Sequence, residues 1–482
     1  MTVTAAGPVA PLGAHELLVF LLQVGVLLSL AFLLGRAAMR FGMPAIVGEL
    51  CAGLLIGPSV LAHAAPELSA WLLPQDGARM HLLDAVGQIG VLLLVGITGL
   101  YMDLGLVRRR GVTAARISIA GLVVPLGLGV ALGFQLPGSL VPGGTDRGTF
   151  ALFVGVAMGV SAIPVIAKTL MELRLLHRNI GQLTLSAAMV DDIAGWLLLS
   201  VVSAMATTGV AAGDIGLSLG WVAVVIAAAF LLRPVVRAGL RATARSRDNG
   251  ATLALVAILI LLSSAATQAM QLEAVFGAFV CGIMINSCGV LNAERIAPLR
   301  TVVLSVLAPL FFATAGLRMD LTALADPTVA LSGLVVLAVA VVGKFAGAYA
   351  GARLSRLGHW ESLALGAGMN ARGVIEVICA MVGLRLGVLS MEMYTVIVLV
   401  AVATSLMAPP LLRWTMARVE HTAEEVLRKE MYEGGPAHRP QSDGAPGRPA
   451  EQVAASSRGT APAAPADQPG HPGESDPGGP PD

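Results

Sequence analysis

Apolar residues in this chain do not alternate with polar ones; they run in blocks. Blocks of about twenty mostly apolar positions recur along the chain, each closed by a short polar or basic segment, and that length matches the hydrocarbon thickness a helix must cross. Thirteen blocks are expected to span a bilayer: 16–36, 43–62, 82–104, 113–136, 149–171, 179–203, 217–238, 251–270, 273–291, 296–317, 328–350, 361–384 and 392–414. Each is expected to be a helix, because lipid offers no partner to an unpaired backbone group. The pattern predicts an all-α polytopic membrane protein.

The basic residues between the blocks set an orientation. Arg36, Arg40, Arg108, Arg109, Arg110, Arg116, Arg174, Arg178, Arg237, Arg241, Arg245, Arg247, Arg295, Arg300, Arg353 and Arg356 fall in one alternating set of connections. The opposite set holds Arg79, Arg147, Arg318 and Arg385. Cytoplasmic loops carry the excess of basic residues, so the N-terminus is expected outside and the C-terminus inside. An odd number of spans satisfies that. Residues 1–15 contain no Lys or Arg, which suits an external segment and argues against a cleaved signal peptide. The organisation expected is an extracellular segment over 1–15, a membrane domain over 16–415 and a cytoplasmic tail over 416–482. In that tail Glu424 to Glu433 reads as a short polar helix. From Gly434 on, Pro, Gly, Ala, Ser and Asp dominate, a composition that buries no core and predicts disorder. The tail shows no G-x-G-x-x-G and no strand pattern, so no nucleotide-binding regulatory domain is expected in it.

Composition agrees. Of 482 residues, 56% are hydrophobic and 13% charged, with a mean hydropathy of +0.80; soluble domains carry about 25% charged residues. The net charge of +1 comes without a basic stripe or interleaved aromatics, which excludes a nucleic-acid partner. Cys51, Cys281, Cys288 and Cys379 lie in apolar blocks without ligand spacing and read as packing residues. The eight histidines fall in tails, loops or span edges, so no intramembrane histidine relay or metal site is expected.

Two motifs recur. "GLYMDL" (Gly99–Leu104) ends the third block and "GLRMDL" (Gly316–Leu321) ends the tenth. "VGELCAGLLIGPS" (Val47–Ser59) aligns without gaps to "FGAFVCGIMINSC" (Phe276–Cys288), with glycine at the second and seventh positions of each. Both pairs are offset by seven blocks. An odd offset turns the second copy over, so blocks 1–6 and 8–13 read as inverted-topology repeats joined by block 7, the architecture of alternating-access transporters. The same symmetry singles out the fifth block of each half. "GVSAIPVIAK" carries Pro164, and "GAGMNARGVIEV" carries three glycines with Asn370, Arg372 and Glu376. Interrupted spans at matching positions mark a midplane binding site.

The buried charges supply candidate chemistry. Asp191 and Asp192 sit side by side in "AAMVDDIAGWLLL", where each charge costs about 2.5–3.5 kcal/mol on insertion scales. Neighbours on a helix point about 100° apart, so both reach one cavity without facing each other. Lys344, in "VVGKFAGAY", is their natural cationic partner and one of only three lysines; unlike arginine, a desolvated lysine releases its proton. Arg372 and Glu376 are spaced i, i+4 and read chiefly as a brace for a broken twelfth span. Glu49 reads more readily as a helix-interface residue than as a ligand. Ser161, Thr184 and Asn370 are candidate oxygen ligands.

Taken together and in order, "VGELCAGLLIGPSVL", "SAIPVIAKTL", "AMVDDIAGWLLL", "FGAFVCGIMI", "PLFFATAGLRMD" and "NARGVIEVI" resemble the monovalent cation:proton antiporter-2 family, which includes Kef-type transporters and plant cation/proton exchangers. The resemblance covers residues 16–415. It implies a six-helix core with two crossed broken helices that moves against a dimerisation domain, and hence a homodimer in the lipid bilayer. It implies that Asp192 binds cation and proton in competition, that Asp191 pairs with Lys344, and that Ser161 lines the site. Arg372 is more typical of electroneutral relatives, which leaves the stoichiometry open.

The function expected is therefore secondary antiport of Na⁺ or K⁺ against H⁺ at a bacterial plasma membrane, without cofactor or enzymatic activity. Asp191 and Asp192 are the expected monovalent-cation ligands, with Ser161 and Asn370 beside them. A gated potassium path without proton coupling is the alternative, although no T-V-G-Y-G filter is present. An intramembrane aspartyl protease is remote, because adjacent carboxylates on one helix diverge.

Overall fold

The computed structural model describes residues 13–73, 77–102, 104–208, 212–245, 249–291, 293–422 and residue 425. The expected disordered tail, the polar helix over 424–433 (apart from Glu425) and residues 1–12 of the N-terminal segment lie outside the described residues. Among those described there is no strand.

The helices are Ala14–Arg40 (α1), Ala45–Ile56 (α2), Gly77–Leu100 (α3), Leu104–Gln135 (α4), Arg147–Gly159 (α5) and Ile163–Glu172 (α6). They continue with Asn179–Thr208 (α7), Ala212–Ala244 (α8), Asn249–Ala269 (α9), Ala274–Ser287 (α10) and Ala293–Val302 (α11). The last are Ala308–Leu317 (α12), Pro327–Leu354 (α13), His359–Met369 (α14), Val374–Arg385 (α15) and Met391–Met416 (α16). A π-helical segment, Val303–Leu307, carries α11 into α12.

The chain is a multi-pass membrane protein. Among the described residues ten helices are long and apolar enough to cross a membrane, and the pair α14–α15, bent by 44°, makes an eleventh. The expected thirteen therefore exceeds what length alone supports. Each of the thirteen blocks does hold a helix or a helix pair, but the fifth is divided between α5 and α6 and the ninth is only the 14-residue α10. Large apolar side chains stand exposed along α1 (Leu21, Phe32, Leu33) and α8 (Phe230, Leu231, Val235), as lipid contact requires.

Packing divides the membrane helices into two bundles. One holds α4, α5, α6, α7, α13, α14, α15 and α16; the other holds α1, α2, α3, α9, α10, α11 and α12, with α8 leading between them. The repeated motifs organise the second bundle. A Cβ on Gly53 would overlap the Ala313 carbonyl, and one on Gly316 would overlap that of Leu50, so α2 and α12 meet backbone to backbone. Gly282 meets the Gly96 carbonyl and Gly99 that of Phe279 in the same way, joining α10 to α3. Gly48 abuts Leu34 of α1, and its counterpart Gly277 abuts Ser263 of α9. Small residues permit this closeness where lipid gives helices no hydrophobic drive to associate. The motif glycines thus make equivalent contacts, seven blocks apart, as the internal repeat requires.

Candidate functional site

The first bundle is built around two interrupted helices that cross. Asp146 caps the start of α5 by accepting from the Thr149 amide at 2.8 Å. That helix stops at Gly159, because Val160 and Ala162 are both extended. Pro164 lies in the first turn of α6, where its missing N–H costs nothing. The proline therefore does not kink a continuous helix; it begins the second half. In the other interruption Asn370 ends α14 and Gly373 precedes α15 with φ +157°. A Cβ there would meet Val165 of α6 at 2.8 Å, so glycine also permits the two half-helices to approach. The breaks are joined directly: the Ala162 amide donates to the Ala371 carbonyl at 3.2 Å.

Asp191 and Asp192 face this crossing from α7, and both are fully buried. Asp191 is engaged at both oxygens. Its Oδ1 accepts from Ser118 Oγ at 2.8 Å, and its Oδ2 accepts from Ser161 Oγ at 2.9 Å and from Lys344 Nζ. The same Lys344 ammonium donates to the Gly159 carbonyl at 2.6 Å, the last residue of α5. Ser161 is shared as well, approaching the Met369 carbonyl of α14 at 2.7 Å. Asp192 differs: its Oδ1 has no hydrogen-bond partner among the described residues, while the Ile163 amide opening α6 approaches the carboxylate as a donor. The cation thus lies at the carbonyl end of one half-helix and the carboxylate at the amide end of the next, as their dipoles favour.

Asn370, at the second break, is fully buried, and among the described residues neither its side-chain amide oxygen nor its nitrogen has a partner. Buried polar atoms without partners are rare in folded proteins and are expected to serve a ligand or water. The crossing therefore holds an unengaged carboxylate oxygen and an unengaged amide.

Arg372 and Glu376 pair at 3.4 Å, both buried. Arg372 also donates to the carbonyls of Ala157 at 3.1 Å and Ala340 at 2.9 Å, and its own carbonyl accepts from Ser405. It ties α5, α13 and α16 to the second break and forms no hydrogen bond with either aspartate. Thr184 donates back to the Ile180 carbonyl at 2.7 Å within its own helix, which uses its hydrogen and leaves its oxygen lone pairs. Glu49 belongs to the second bundle, half-buried, with its side chain packed beside Gly35 of α1. The four cysteines are unpaired. Sequence reasoning missed Ser118 and Ser405, single hydroxyls within apolar helices that nothing in the local pattern distinguishes.

Comparison with known proteins places this geometry. The profile of the family described as "Sodium/hydrogen exchanger, transmembrane" matches residues 26–418. The chain is 32% identical over 399 residues to the "Na(+)/H(+) antiporter NhaS4" of Synechocystis sp., covering 82% of this chain and 97% of that one. It is 31% identical over 372 residues to the "Cation/H(+) antiporter 15" of Arabidopsis thaliana, covering 77% of this chain and 45% of the plant protein. The chain thus spans about half the length of that relative. The solved structure of the sodium proton antiporter MjNhaP1 from Methanocaldococcus jannaschii superimposes with a TM-score of 0.64 at 16% identity, covering 84% of this chain and 99% of that one. This shows the same fold. By its family match and its resemblance to NhaS4 over nearly the whole of that protein, the chain belongs to the sodium/hydrogen exchanger family of membrane transporters.

Proposed function

We propose that this protein exchanges a monovalent cation, Na⁺ or K⁺, for protons across the plasma membrane, as a homodimer with its N-terminus outside and its C-terminus in the cytoplasm. The names of its relatives support exchange of this kind. The observation that carries the reading within the chain is the contrast between an Asp191 engaged at both oxygens and an Asp192 with one oxygen unengaged among the described residues.

A carboxylate accepts a proton or a desolvated cation, and neutralisation by one removes the attraction for the other. Asp192 is the shared carrier. Asn370 supplies an amide oxygen toward the cation, and the carbonyls and amides freed at the breaks replace hydration. Asp191 serves by holding Lys344 and Ser161 in register with the break. When a cation at Asp192 competes for that negative charge, the Lys344 ammonium loses part of its partner and becomes a second proton donor, which makes exchange electrogenic. The bundle bearing the crossed helices moves against the other, opening the site to each side in turn. Flux in proteoliposomes, with Na⁺ and K⁺ each titrated against an imposed pH gradient, tests the reading. Cation-dependent proton movement is the expected result, and cation leak indifferent to the pH gradient overturns it.

A further inference from the structure

The seam between the two bundles is crossed by polar ties at one end. Arg385, in the last turn of α15, pairs with Glu273, the residue that begins α10, at 2.7 Å. Tyr394, in the first turn of α16, donates its hydroxyl to the Ala315 carbonyl of α12 at 2.7 Å. Beside it, the Asp320 amide donates to Thr395 Oγ1 at 3.0 Å. In the first two ties one partner belongs to the bundle with the crossed helices and the other to the bundle organised by the repeat glycines, while in the third Asp320 lies in the link that leaves α12 for α13. All three lie where α15 and α12 end and α16 and α10 begin, so they share one face of the molecule. Tyr394 and Thr395 are fully buried there.

We infer that Glu273–Arg385, with the two hydrogen bonds beside it, is a latch that must open once in each exchange cycle. The inference rests on the moving-bundle reading above. Its physical basis is the asymmetry of the pair: the Glu273 side chain is 4% exposed and the Arg385 side chain 41%. A guanidinium at the surface withdraws readily into water, but a buried carboxylate left behind is penalised until water reaches it. Separation of the bundles at this face is therefore coupled to wetting of the seam, and the latch has two states, dry and paired or wet and parted. Such bistable contacts turn a small shift at a binding site into a movement of whole elements.

The test uses the full chain in proteoliposomes, with its four cysteines replaced by serine. Glu273→Cys and Arg385→Cys are introduced together and bridged by a short, reducible bifunctional thiol reagent. Bridging is expected to lower sodium-for-proton flux about tenfold or more, since a gating step limits turnover, and reduction to restore it. A control bridge between Tyr349→Cys and His359→Cys, which joins α13 to α14 inside one bundle where those side chains meet at 3.0 Å, is expected to leave flux unchanged. Full flux through protein bridged across the seam overturns the latch, and so does equal arrest by the control bridge. If the protein with its native Glu273 and Arg385 carries no coupled flux, the exchange reading fails instead, and the latch is judged by a second measurement. Cys379 is buried on α15, the helix whose last turn carries Arg385. With the other three cysteines replaced, Glu273→Gln is expected to raise its labelling by an impermeant thiol reagent several-fold; unchanged labelling overturns the latch.

Discussion

Asp191 and Asp192 are consecutive residues on one helix, yet they occupy two different regions of the crossing. On the Asp191 side two serines and a lysine fill the carboxylate, and the same lysine and one of those serines also reach backbone carbonyls at the two breaks. On the Asp192 side the Ile163 amide approaches the carboxylate and one oxygen is left unengaged among the described residues. One step along the chain rotates the side chain by about 100°. That rotation separates a region built to hold the helices in place from a region able to receive a ligand. A carboxylate's chemistry is set by what already occupies its lone pairs.

The sharpest way to break this comparison is Asp192→Asn. An amide ligates weakly and carries no proton, so coupled exchange should vanish while the protein elutes and melts as the native form does. Residual coupled flux in that variant would show the two aspartates to be interchangeable. Substitution of Lys344 acts on the other region. Lys344→Gln strands a buried carboxylate, a change that costs about 3–5 kcal/mol in comparable sites, so the thermal midpoint should fall strongly. Lys344→Arg keeps the pairing charge but does not release a proton. It should fold, and charge moved per cation should drop, as read by capacitive current beside isotope flux in the same vesicles. Unchanged charge per cation would make Lys344 a brace alone.

Asn370→Ala sharpens the comparison from the ligand side. The side-chain amide makes no hydrogen bond among the described residues, so its removal should leave stability nearly unaltered while raising the cation concentration at half-maximal exchange. Loss of one oxygen worth 1.4 kcal/mol corresponds to about a tenfold rise. A large fall in thermal midpoint with unaltered cation dependence would place Asn370 in packing.

The smaller effects lie at the root of the tail. Arg178, at the approach to α7, pairs with Glu425 at 3.2 Å and donates to the carbonyls of Val419 and Glu420, while the Asn179 amide donates to Glu425 at 2.6 Å. Burial alone would raise the Glu425 carboxyl, but the Asn179 and Thr422 amides and the Arg178 guanidinium outweigh it and hold it below its ordinary value of 4.5. A depressed folded value stabilises the protein above that ordinary value and is lost as pH falls through the lower one. Glu425→Gln should therefore lower the thermal midpoint modestly at neutral pH, with the difference closing in strong acid; a difference that grows in acid would reverse the assignment. Truncation after Gly434 should change flux and its pH profile least of all.

The membrane character of this chain, its helical class and its repeat are properties of the sequence alone. Twenty apolar residues in succession admit one backbone solution in lipid, and the paired glycines of the two motifs recur where helices touch. The interruptions were legible too, because proline and clustered glycine disturb a helix through their own backbones. The position of the first break was not. Pro164 signals that a helix cannot run through it, but whether it kinks a continuous helix or starts a new one depends on the Ala162–Ala371 hydrogen bond from 209 residues away. Nor could two identical aspartates be told apart by their neighbours in sequence; the resemblance to a family suggested their roles, while Ser118, Ser161 and Lys344 decide their surroundings. Those partners come from α4, from α13 and from the extended break between α5 and α6, and only packing brings them to one side of α7. Local sequence fixes which chemical groups are present and which backbone they interrupt. Which lone pairs remain unoccupied is a property of the assembled crossing, because hydrogen bonds are saturable and the competitors arrive from distant parts of the chain.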